Sequence, residues 1–82
     1  MRKVVNIGKE HDETVFRVLK EVLTIEGAEE VAYNYGVGGS QEIQVWEFRI
    51  GDETLGATAE TYVGLSIEGD ANTVTRIADA VK

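Results

Sequence analysis

A single change of hydrophobic period, after residue 26, constrains this chain more than any other feature it has. From Asp12 to Glu26, apolar residues fall at Val15, Phe16, Val18, Leu19, Val22, Leu23 and Ile25, which is helical spacing with a wide stripe. Asp12 and Glu13 sit where carboxylates favour a helix start, and Gly27 suits a left-handed cap after its end. From there the period is two. Val31, Tyr33 and Tyr35 alternate with Ala32 and Asn34 as a strand, and Gly36 to Ser40 reads as a loop. The next strand begins near Glu42 and changes phase: Ile43 and Val45 point one way, Trp46, Phe48 and Ile50 the other. Crossing phases imply a bulge or a strand covered partly on both faces.

Gly51-Asp52 fits a two-residue hairpin turn. Leu55, Ala57 and Ala59, then Val63, Leu65 and Ile67, alternate with polar or small neighbours as two further strands. Lys3 to Ile7 is a short β-branched strand ahead of the helix, stopped by Gly8. Asp70 or Asn72 can cap a last short helix carrying Val74, Ile77, Ala78 and Val81. The predicted order is β-α-β-β-β-β-α. Hairpin-length connections between residues 42 and 68 demand antiparallel neighbours, so the class is α+β. Two helices on one face of a mostly antiparallel sheet form a two-layer sandwich that hides both stripes. At 82 residues, the chain has the length of one compact domain, residues 1–82.

The strand–helix–strand opening resembles that of ferredoxin-like and ACT-type small-molecule sensor folds. The meander in the second half departs from them and is similar to the sheet of double-stranded RNA-binding domains. These are likenesses of fold, with no shared residue motif, and they carry no function.

The composition excludes several chemistries. With no cysteine there are no disulfides, thiolate metal sites, iron–sulfur clusters or cysteine nucleophiles. Only Val4 and Val5 follow the basic pair Arg2-Lys3, too short an apolar run for a signal peptide. No stretch approaches a membrane span, and the expected location is the cytoplasm. Fifteen acidic residues against eight basic ones give a net charge of −7. That charge repels phosphate backbones and anionic membranes and draws basic partners.

Each residue set with catalytic colour has a plainer reading. His11, the sole histidine, precedes Asp12 and Glu13 and would serve as a general base oriented by Asp12. It has no recognisable nucleophile to serve, and one histidine does not make a catalytic zinc site; it reads as a solvated helix-start residue. The glycine-rich run at 36–40 lacks the Gly at 41 and the Gly-Lys-Ser/Thr of phosphate loops, and a strand rather than a helix follows it. Glu29 with Glu30, Asp52 with Glu53, and Glu10 with Asp12 and Glu13 lie near element ends, without the ligand spacing of a calcium loop. They read as a solubilising face. No catalytic, metal or cofactor residue is assigned, and no cofactor is expected.

The aromatics remain. Trp46 and Phe48 belong under the helices, whereas Tyr33 and Tyr35, with Glu42, Glu47, Glu53 and Glu60 on or beside the same strands, suit an open sheet face that meets a basic protein. Stacking on nucleic acid would need basic residues among these aromatics. The expected function is therefore non-catalytic protein binding, for instance an immunity-type or other inhibitor masking a toxin or a nucleic-acid-handling enzyme. The alternative is a small regulatory domain that binds a metabolite or self-associates as a homodimer; an enzyme of unknown type ranks behind both.

Overall fold

A computed structural model of the chain describes residues 1–9 and 12–81. The order is β1 (Arg2–Gly8), α1 (Glu13–Ile25), β2 (Glu29–Gly38), β3 (Gln41–Ile50), β4 (Glu53–Glu60), β5 (Gly64–Asp70) and α2 (Ala71–Val81), the predicted β-α-β-β-β-β-α. One five-stranded sheet runs β1-β5-β4-β3-β2, and all four pairings are antiparallel. The meander therefore starts at β2, not near Glu42. β1 and β2 lie parallel at opposite edges, and α1 makes the crossover that parallel strands require.

Side-chain oxygens start both helices. The Val15 N–H donates to Asp12 Oδ1 at 3.1 Å. At α2, Asp70 Oδ2 accepts from the Asn72 and Thr73 N–H groups at 3.1 and 3.4 Å, so Asp70 rather than Asn72 is the cap. Past α1, the Ala28 N–H closes back on the Leu23 carbonyl at 2.8 Å, with Gly27 at φ +78° in the predicted cap.

Cross-strand register sets the core. One row crosses the whole sheet on the helix side: Val5, Ile67, Ala57, Trp46 and Tyr33. Its three middle members are buried, as are Phe48, Leu55 and Leu65 on the same face. Leu19 and Leu23 of α1, with Val74, Ile77 and Ala78 of α2, close over them. Val15, Phe16 and Val22 pack around this centre but remain half-buried. The layering follows the stripes.

Two local expectations need correction. Gly36 to Gly38 belong to β2, because each pairs with β3 and only Gly39-Ser40 form the turn. Pairing along a full hairpin supplies the backbone hydrogen bonds that glycine's weak strand preference does not. The phase change in β3 is no bulge; β3 pairs with β4 without a break, and its open face simply carries Ile43 and Val45. The irregularity lies in β2, where the extra residue Val31 stands between Glu30 and Ala32. The two strands of this hairpin are the longest in the sheet, ten residues each, in a molecule 36 Å long and 23 Å across.

Candidate functional site

The bulge at Val31 decides which way the tyrosines point. An extra residue shifts the two-residue alternation by one, so Tyr33 pairs with Trp46 and Tyr35 with Gln44, both on the helix side. The expectation that the tyrosines lie on the open face is thereby overturned. Of the six residues expected to form one surface, Tyr33, Tyr35 and Glu42 come together on the helix side of the β2–β3 hairpin. Glu47 and Glu60 lie on the opposite face, in register with Ala32 and Ile43. Glu53 follows the β3–β4 turn, and its Oε2 accepts from the Thr73 hydroxyl at 2.6 Å, which ties β4 to α2. His11 and Glu10 lie outside the described residues.

An aromatic line leads outward from the core through this hairpin. The Phe16 and Trp46 rings stand 4.8 Å apart by centroid, and those of Trp46 and Tyr33 stand 5.4 Å apart, both tilted by about 40°. Lys20 Nζ lies 5.2 Å from the Phe16 ring centroid, within cation–π range. The Tyr33 hydroxyl donates to Gln44 Oε1 at 3.0 Å. Tyr35, 55% exposed, follows Tyr33 on the same face, and Val37 beside Glu42 is exposed there too. Scattered exposed hydrophobes need no explanation, but contiguous ones mark contact surfaces.

Beside this line is a groove of about 280 Å³, lined by Asp12, Glu13, Phe16, Gln44, Trp46, Ala59 and Leu65. Its floor is apolar, and Asp12 and Glu13 bring two carboxylates from the start of α1. The chemistry suits the stem of a lysine or arginine, with its aliphatic chain on the rings and its cation beside the carboxylates. The groove joins α1 to β3 and β4, so no local pattern in the sequence could reveal it; Trp46 was legible only as core.

Partial desolvation on the hairpin surface, and then the nearby Glu42 carboxylate, raise the Tyr35 phenol above its ordinary pKa. In ultraviolet titration the Tyr35 phenol should ionise later than a free tyrosine, and Glu42→Gln should return it partway. No change on Glu42→Gln would dissociate the two residues.

A larger cleft, about 700 Å³, lies between β1, the β4–β5 turn and the start of α1. Asn6 in it serves the chain itself, its Nδ2 donating to the Val63 carbonyl at 3.0 Å. It also mixes Lys9 with Asp12, so it presents no single sign of charge. Among the described residues no cluster of three or more His, Cys, Asp or Glu forms a metal site, and no helix is long and apolar enough to cross a membrane. No protein-family model, curated protein or solved structure matches this chain.

Proposed function

We propose that this chain is a non-catalytic protein-binding domain that receives a basic partner at the helix-side rim of the β2–β3 hairpin. The observation that carries the reading is the groove floored by Phe16 and Trp46 and flanked by Asp12 and Glu13, beside the exposed Tyr35 and Glu42. Tyrosine and tryptophan contribute contact area at small entropic cost, and the −7 net charge steers a cationic surface toward it. An inhibitor that masks a toxin or a nucleic-acid-handling enzyme fits this chemistry, since such enzymes present basic surfaces to their substrates. The reading sets the encounter in the cytoplasm, as a cysteine-free chain allows.

The test begins with affinity capture from the protein's own cells and purification of what is captured. Association with that purified partner should slow markedly between 0.01 and 0.15 M salt, where the screening length falls from about 30 Å to about 8 Å. Glu13→Lys with Glu42→Lys should cut the association rate by roughly tenfold or more, while Tyr35→Ala should act mainly on dissociation. Glu47→Lys, on the opposite face, should leave the dissociation rate unchanged. Salt-insensitive binding, or a partner that is itself strongly acidic, would contradict the reading.

A further inference from the structure

The two edges of the sheet are built differently. β1 begins with Arg2 and Lys3, and both cations are engaged nearby: Arg2 Nη2 lies 3.6 Å from Glu68 Oε1, and Lys3 Nζ donates to the Thr75 hydroxyl at 3.2 Å. Charged residues, lysine above all, are a standard guard against edge-to-edge pairing. β2 has its charges, Glu29 and Glu30, and its bulge at Val31 confined to its start. From Val31 to Gly38 it contains no charged residue and no proline, and it is terminal in the sheet order, with β3 on one side only. Its outer row of backbone N–H and C=O groups is therefore a template for another strand.

The sequence of that edge reads alike in both directions. Val31-Ala32-Tyr33-Asn34-Tyr35-Gly36-Val37 is symmetric in kind about Asn34: valine at both ends, a small residue inside each, a tyrosine on each side of the centre. A two-fold contact demands this self-complementarity, because one patch must face itself. Antiparallel pairing about Asn34 sets Ala32 against Gly36 of the second copy, Tyr33 against Tyr35, and Asn34 against Asn34, with the regular register ending at the Val31 bulge. Glu29 and Glu30 then lie beyond the bulge, toward the turn end of the second copy's hairpin, so two chains of net charge −7 meet without acid facing acid. Centring on Glu30 would instead bring the four carboxylates together.

From these features we infer that the chain forms a two-fold homodimer by antiparallel pairing of its β2 edges, making one continuous ten-stranded sheet. The axis runs perpendicular to the sheet, so the helix faces of both copies lie on the same side. Tyr33 and Tyr35 of the two copies become neighbours there, and the two rims described above join into one aromatic surface with a groove at each end. The inference rests on reading that rim as a contact surface, but its test needs no partner protein. A dimer that binds nothing basic would leave it standing, and a monomer that binds a basic protein would remove it alone.

The experiment is sedimentation equilibrium on the full chain, with three variants. Wild type should show a concentration-dependent monomer–dimer equilibrium. Asn34→Lys places like charges directly opposite each other at the axis and should weaken the dimer roughly tenfold or more. Asn34→Cys sets the sole cysteine against itself with β-carbons about 4.5–5.5 Å apart, so mild oxidation should give a covalent dimer. Val4→Cys, exposed on the other edge strand, should stay monomeric under the same oxidation. The cross-linking result stands even if Asn34→Lys fails to fold. A wild-type monomer at every concentration reached would overturn the inference. So would a dimer that Asn34→Lys leaves intact, or equal cross-linking of the two cysteine variants.

Discussion

Leu19→Ala should lower the unfolding free energy by roughly 2–5 kcal/mol, the usual cost of emptying a fully enclosed leucine site. Leu19 is 0% exposed and belongs to the cluster that joins α1 to α2 and the sheet. A domain this size is expected to have only about 4–12 kcal/mol in total, so the variant stands close to unfolding. Urea denaturation provides the number, and the midpoint should fall with little change in slope. Ile25→Ala, on the same helix but 84% exposed, should change stability by no more than about 0.5 kcal/mol. Equal effects at the two positions would mean that the α1 stripe is not what holds the layers together.

Gly64→Ala should be nearly as costly, for a different reason. Gly64 opens β5 at φ +109°, a backbone state that side chains rarely adopt. A Cβ there would collide with the Gly8 carbonyl oxygen and come within 2.9 Å of Asn6 Nδ2. Backbone strain of this kind costs about 1–3 kcal/mol, and relieving the collision means parting β5 from β1 where their register already shifts. The expected loss is about 3 kcal/mol or more, read by the same denaturation. Gly38→Ala, with open space around its Cβ and no positive φ, should be close to neutral. A Gly64→Ala loss below about 1 kcal/mol would show that β1 adjusts to the extra carbon without penalty.

Helical period and hairpin-length turns carried the architecture from sequence to structure. Val15 to Leu23 announce a stripe, Gly51-Asp52 announces a reversal, and Asp70 caps what the last periodic run predicts. What was illegible came from pairing between distant segments. Nothing in Lys3 to Ile7 says that the first strand lies beside β5, because that edge is chosen by the α1 crossover and by register with residues some sixty positions away. The bulge at Val31 has no local signature, yet it turns Tyr33 and Tyr35 to the helix side and separates them from Glu47 and Glu60. Two-residue alternation fixes a face only while the count is unbroken. The groove is harder still to foresee, since Asp12, Glu13 and Phe16 meet Gln44 and Trp46 only once the layers stack.

The contact surface proposed for a basic partner is the helix-side rim of the β2–β3 hairpin, beside the groove floored by Phe16 and Trp46. Backbone amide exchange, followed by mass spectrometry with and without the purified basic partner, tests it most directly. Residues 31–46 and the first turn of α1 should gain protection on binding, while the open face around Thr58 and Ser66 and the cleft between Asn6 and Tyr62 should not. Protection confined to that cleft or to the open face, with the hairpin exchanging as it does alone, would contradict the claim.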